Sequence, residues 1–440
     1  MTFRRSQVEP DLARVATAPF GMIAISKYSM GIGDRFGLEG VAQLRAFTAA
    51  RDRGITITPV WNKSNREHSL IGTRPGDVRI EADAATAACR WSQPYFVDAD
   101  HIALATVDKF LTASDFFTID VADAIGRPAS EASIAKYAAD MGRFLGPLRI
   151  PGVEAPVTVS AAVLTEFARK YLAAVEEAGR VYRYIAEHKG EGSFVTEVSF
   201  DETETPQSPG ELFLILAAAA REQIPVATVA PKFTGDFLKG IDYVGDSERF
   251  AKEFEEDLAV LSFAKRTFAL PAALKLSIHS GSDKFSLYPI MHRALKRADA
   301  GVHLKTAGTT WLEEALGLAE AGGDGLAFAK ALYREACARY DEMAKPYATV
   351  IAIDRRALPT PTQVDGWSSQ EFVEALEHNQ RCPRFSVHFR QLIHISFRIA
   401  AERREQLLEL LRANREKVEA RVSHNLLKRH IEPLFLGVSA

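Results

Sequence analysis

The strongest constraint on the fold is a repeated alternation. Eight short β-rich runs recur, each followed by a polar or glycine-containing loop and then a helical stretch. The runs are residues 21–26 (GMIAIS), 55–61 (ITITPVW), 95–100 (YFVDAD), 116–121 (FFTIDV), 194–200 (FVTEVSF), 226–231 (VATVAP), 274–279 (LKLSIH) and 301–306 (GVHLKT). Their enrichment in Val, Ile, Thr and Phe suits parallel strands buried on both faces. Amphipathic stretches at 38–53, 77–91, 209–223 and 247–268 supply the intervening helices. Eight strands alternating with helices predict an α/β fold, a (β/α)8 barrel of the TIM type. A doubly wound open sheet is the runner-up.

Two departures modify the barrel. The fourth and fifth runs lie about 75 residues apart, roughly twice a normal βα unit. The surplus, at about 129–189, reads as a helical insertion of two helices around a Pro-rich turn at 146–156. The second departure is a long tail. Its segment 348–354 (ATVIAID) also qualifies as a strand, which leaves the count uncertain by one. Beyond Trp367 the tail is helical, and Leu407, Leu408, Leu411, Val418 and Val422 give it one apolar face. The division expected is a catalytic barrel over 1–360, carrying the insertion, and a helical C-terminal extension over 361–440 packed on it. The alternative use of that apolar face is an interface between copies of the chain, a homo-oligomer.

Charge narrows the partners. Lys and Arg number 54 and Asp and Glu 57, a net charge of −3, so no global basic field favours nucleic acid or an anionic membrane. No stretch of ~18 apolar residues is present, so no transmembrane helix is expected. The N-terminus lacks the continuous apolar core of a secretory signal. Cys89, Cys337 and Cys382 are widely spaced, which fits a cytoplasmic protein and speaks against a disulfide framework or a Cys-rich zinc site.

Reacting groups of such barrels sit at the C-terminal strand ends and in the loops that follow. Here those positions carry Asp98, Asp100 and His101, then Asp120 and Asp123, then Glu197, Asp201, Glu202 and Glu204, and later His279 and His303. A lone histidine at such a place is more often a hydrogen-bonded core residue. Three at one face, His101, His279 and His303, instead suggest ligands for a divalent cation with a position left open. Asp100, Glu197 and Glu202 are candidates for a fourth ligand or for acid–base work. Asp98, Asp120 and Asp123 read as hydrogen-bond partners behind the ligands or as helix caps. The remaining histidines, His394 among them, are given no role. Arg35, Lys63, Arg66, Lys232, Lys284 and Lys305 form a basic set at the same face, which suggests an anionic substrate such as a sugar acid or a phosphate. The bland reading of each is pairing with a local acid. The loop GIGDRFG (31–37) is not a dinucleotide fingerprint. Its third glycine is one residue late, residues 27–30 separate it from the expected strand, and no acid ends the second strand. No nicotinamide cofactor is expected.

Longer runs carry a resemblance. GIGDRFG, TPVWNKSNREH (58–68), YFVDADHI (95–102), FFTIDVAD (116–123), TEVSFDET (196–203), APKFTG (230–235), DYVGD (242–246), SIHSGSDKFS (277–286) and HLKTAGTTWLEE (303–314) together resemble the tagaturonate/fructuronate epimerase family. The likeness extends from about residue 21 to NLLKRHIEPLF (425–435). It implies an isomerase, a metal-dependent epimerase of hexuronate catabolism that interconverts D-tagaturonate and D-fructuronate. It carries the family's histidine ligands onto His101, His279 and His303, with Zn, Mn, Co or Ni as the cation. It carries the acid–base pair onto Asp100 and one acid of TEVSFDET, here taken as Glu202. Phe200 stands where the family pattern has Met, a change that leaves the chemistry intact.

The two sugars differ at a carbon two bonds from the ketone, so its C–H is not acidified and enolisation cannot invert it. Transient oxidation needs the nicotinamide site judged absent. Retro-aldol cleavage, rotation of the aldehyde and re-addition remain, with a Lewis-acidic cation for the enediolate charge. The Asp100–His101 pair and the HSGS run (279–282) also look like parts of class II aldolases. An aldolase of acidic sugars is therefore the first alternative. A silent sugar-acid sensor is the second, and the crowd of acids beside the histidines speaks against it.

Overall fold

The computed structural model describes residues 23, 25–306 and 308–438. Eight parallel strands close into a barrel: β1 (Tyr28–Ile32), β2 (Ile57–Ser64), β3 (Phe96–Ile102), β4 (Phe116–Asp120), β5 (Val195–Ser199), β6 (Val226–Ala230), β7 (Lys275–Ile278) and β8 (Val302–Lys305). Each neighbours the next, and β1 closes the ring by pairing with both β2 and β8. The (β/α)8 architecture is the one the alternation predicts. Seven of the eight runs overlap a barrel strand. The first does not. Residues 21, 22 and 24 of run 21–26 lie outside the described residues, and β1 is the next segment along, YSMGI. Ile25 instead packs with Val60, Phe96, Phe116 and Val195 in a small apolar cluster. Consequently GIGDRFG begins inside β1, with Gly31 and Ile32 as the last two strand residues and no spacer. Segment 348–354 is not a strand. It is irregular chain, and Val350 O accepts the Lys239 backbone N–H at 2.8 Å.

The loop after β1 shows why its sequence is needed. Asp34 Oδ1 accepts the N–H groups of Phe36 and Gly37, both at 2.9 Å, and Oδ2 accepts that of Glu39 at 2.6 Å. Gly37 has φ +75, a left-handed conformation that costs a glycine little. The turn delivers the chain to helix Gly40–Asp52 and leaves the Glu39 side chain buried, its Oε2 without a partner among the described residues. Burial, then the neighbouring Asp34, pushes the Glu39 carboxyl up to about 8 from 4.5. Between those values the folded protein keeps this proton and the unfolded chain releases it. Stability therefore falls as pH rises through that window. Glu39→Gln is expected to flatten the decline of the urea midpoint from about pH 5 to about pH 8. A variant that declines as steeply as the parent would contradict this.

The insertion contains helices Glu131–Met141, Ala161–Phe167 and Ala173–Lys189. Its Pro-rich turn is partly ordered as an antiparallel ribbon, Gly146–Leu148 with Val157–Val159. The apolar face expected in the tail is turned inward: Leu407, Leu411, Val418 and Val422 are buried and Leu408 is half-buried. Helix Arg415–His424 runs so close to helix Thr309–Ala321 that a Cβ on Gly317 would stand 2.8 Å from the Val418 side chain. One buried ion pair fastens the tail to the barrel. Arg390, on helix Val387–Ile395, donates to Asp283 Oδ2 at 2.9 Å, Gly240 O at 2.6 Å and Leu376 O at 2.7 Å, with both charged side chains fully buried. No helix among the described residues is long and apolar enough to cross a membrane.

Candidate active site

The top of the barrel interior is polar. Lys305, the last residue of β8, places its ammonium 2.6 Å from Asp100, 2.7 Å from Asp98 and 3.2 Å from Glu197. Thr118 Oγ1, 2.5 Å from the Lys305 ammonium, bridges to Asp98 and Glu197, and Thr228 donates to Glu197 at 2.6 Å. Burial, with Asp100 and Glu197 alongside, pushes Asp98 up to about 7 in spite of Lys305. Asp100 is also buried, yet Lys305 and then His101 hold its carboxyl below the usual range.

Above this layer, two of the three expected histidines meet. The rings of His101 and His279 are 5.1 Å apart. His101, at φ +51, holds a strained left-handed backbone within β3. Its Nδ1 bonds Asp120 Oδ2 at 3.0 Å, which leaves Nε2 free. His279 follows the end of β7 and bonds Glu197 Oε1 through Nε2 at 2.7 Å. Its Nδ1 lies 3.2 Å from Asp201 Oδ2. Two ligand atoms bound to one cation at ~2.1 Å also stand about 3 Å apart, so the spacing is one that a shared ion could adopt. His101, Asp201 and His279 offer ligand atoms within 4.8 Å of one another. Each imidazole has a carboxylate bracing its other nitrogen, the usual support for a metal-binding histidine. Burial opposes charge on His101, but the carboxylates of Asp100, Asp120 and Asp201 push it up to about 10.

His303 is not in this group. It is the second residue of β8, one inward layer below Lys305. Its Nδ1 pairs with Ser29 Oγ at 2.8 Å and its ring packs on Phe116. Burial lowers it to about 3, so it is a neutral core imidazole. Two of the three histidines thus come together with a carboxylate, Asp201, while His303 stands apart in the core. Glu202 forms a second group with His101 and Asp120, on the solvent side.

The basic set divides. Arg35 is buried at the mouth, with Nε 3.2 Å from Glu67 and its guanidinium 3.8 Å above the Phe397 ring. Arg66 lies over Tyr347. The other four are engaged with protein groups. Lys305 serves the three buried acids. Lys63 alternates with inward-facing Asn62, so its ammonium lies on the helix side of β2 and donates to Arg35 O at 3.3 Å. Lys232 folds back onto Thr203 O. Lys284 donates to Leu238 O, Ile241 O and Ser282 O, which ties two loops together. Two mouth residues had no assigned role in the sequence. Lys239 donates to Ser280 Oγ at 2.9 Å, and His394 comes from the tail helix. Lys239 lies nine residues beyond the end of β6, and His394 is in a different part of the chain altogether, so neither has a local signal.

Comparison with known proteins gives concordant results. The family model for tagaturonate epimerase matches residues 15–434. A tagaturonate/fructuronate epimerase of Thermotoga maritima is 28% identical over 422 residues, 92% of this chain and 80% of the relative. Crystal structures of fructuronate-tagaturonate epimerase from Cohnella laeviribosi share the fold. One glycerol complex superposes with TM-score 0.77 at 23% identity, over 93% of this chain and 81% of that one. The native structure gives 0.74 at 23%, over 94% and 82%.

Proposed function

The chain belongs to the tagaturonate epimerase family, and from that premise we propose that it interconverts D-tagaturonate and D-fructuronate by breaking and remaking one carbon–carbon bond, with a divalent cation held by His101, His279 and Asp201. It is a carbohydrate epimerase, an isomerase acting on a small sugar. The observation that carries the metal-dependent reading is the pair of carboxylate-braced imidazoles facing Asp201. Two imidazoles and one carboxylate suit Zn, Mn, Co or Ni with positions left for substrate. Such a cation supplies a Lewis acid for charge gathering on the ketone oxygen.

The chain's own residues must move one proton each way. A carboxylate takes the proton from the hydroxyl on the inverting carbon, and the bond to the neighbouring carbon on the ketone side breaks. Its electron pair passes to the ketone, the new aldehyde turns its other face, and the bond re-forms as the proton returns. Asp100 and Glu202 are the pair we assign to this exchange. Asp100 is ion-paired with Lys305 and lies 3.9 Å from His101 Nε2, while Glu202 groups with Asp120, which bonds Nδ1. Cys89, Cys337 and Cys382 are free thiols, which suits the cytoplasm we propose as its setting.

Chelation is expected to abolish tagaturonate–fructuronate exchange, and Mn, Co, Ni or Zn to restore it. Exchange that survives complete metal removal refutes the cation. In deuterated water the inverting carbon is expected to stay unlabelled, and extensive uptake there excludes the aldol route.

A further inference from the structure

Where the tail helix Val387–Ile395 meets the barrel mouth, several buried polar atoms have no partner. Arg35 Nη1, both ring nitrogens of His394, and Thr309 Oγ1 find none among the described residues. Arg35 is 6%, His394 1% and Thr309 5% exposed. An unpaired polar group at such depth is costly, so several together point to something that binds there. They converge. A Cβ on Gly308 would stand 2.4 Å from His394 Nε2 and 2.8 Å from Arg35 Nη2. Gly308 is the N-cap of helix Thr309–Ala321, whose first-turn N–H groups have no partner within the helix. Burial, and then the charges of Arg35 and Lys239, keep the His394 imidazole neutral. Glu67, the acid nearest Arg35, already occupies its Nε.

A fork of guanidinium donors, a hydroxyl, an imidazole N–H and a helix N-terminus match a small planar anion. We infer that Arg35, His394 and Thr309, at the head of the helix capped by Gly308, form a carboxylate subsite for the acid end of the substrate. The inference rests on the reading of the substrate as a uronate ketose. Lys239 links the subsite to the reaction centre. It feels the charges of Arg35 and Asp100, and it bonds Ser280, the neighbour of His279. The C-terminal extension thus supplies a specificity-determining residue to the barrel's site.

Calorimetric titration of the metal-loaded protein with D-tagaturonate, neutral D-tagatose and D-tagatose 6-phosphate tests this without requiring turnover. The parent is expected to bind the acid at least ~30-fold more tightly than the neutral sugar. Arg35→Gln and His394→Phe should each reduce that preference at least tenfold, mainly through the acid's affinity. Thr309→Val is nearly isosteric and covers the case in which the larger changes disturb folding. It should reduce the preference about threefold. Equal binding of acid and neutral sugar by the parent overturns the subsite, as does an unchanged preference in variants that remain folded. A stronger preference for the phosphorylated sugar also overturns it. A protein that shows the acid preference, and loses it in the variants, but does not exchange the two uronates keeps the subsite and loses the proposed reaction. A protein that exchanges them without any acid preference does the reverse.

Discussion

Asp201→Ala and His279→Ala are each expected to lose more than about 10³-fold in kcat/KM on the uronate ketoses, and to lose tightly bound metal. Removing one of three protein ligands costs more than removing a residue that merely braces a ligand, and bracing residues already carry 10–100-fold. Asp120→Asn and Glu197→Gln should fall in that smaller range, because each leaves a ligand histidine in place but less firmly oriented. The informative control is His303→Gln. His303 bonds Ser29 within the barrel interior, so this variant should lose about 1–3 kcal/mol of stability and retain its metal. Metal content after dialysis, measured beside kcat/KM, separates the arrangements. Loss of metal in His303→Gln with retention in Asp201→Ala would restore the three-histidine site and sink the present one.

Arg390→Met is expected to cost about 3–5 kcal/mol in denaturant unfolding. It strands the Asp283 carboxylate, which is fully buried and which Arg390 holds well below the usual carboxylate range despite that burial. It also strips two backbone carbonyls, of Gly240 and Leu376, of their donor. Pairing it with Asp283→Asn should recover part of the loss, since the charge left behind is then gone. A single variant within ~1 kcal/mol of the parent would show that the clamp adds little. Arg390 and His394 lie one turn apart on the same helix face, so acid preference should weaken alongside stability.

The barrel was legible because parallel strands buried on both faces read as continuous apolar runs. The misplacement at β1 has a local cause. GMIAIS is richer in Ile than YSMGI, yet β1 is the latter. Segment 348–354 had strand composition but found no edge to join, because the ring was already closed by β1 and β8. In the site, His279 directly follows the last residue of β7 and Asp201 lies two residues beyond that of β5, where side chains reach the mouth. His303 lies within its strand, and the sequence does not say how deep a four-residue strand begins. The lysines misled for a related reason. Lys63 is one residue out of phase with the interior, and Lys232 and Lys284 are long enough to turn back to loop carbonyls. Asp201 could not be singled out from Glu197, Glu202 and Glu204 without knowing which carboxylate faces a ring nitrogen. His394 is brought to the mouth only by the docking of the tail.

One ammonium facing three carboxylates has a consequence for how a cation arrives. Lys305 does not fully compensate Asp98, Asp100 and Glu197, so the barrel's interior carries a standing negative potential beneath the mouth. That potential draws in a dication, whose charge then offsets it. A protein stripped of that cation is left with the uncompensated charge, and the same acids that attract the ion hold it against loss to solvent.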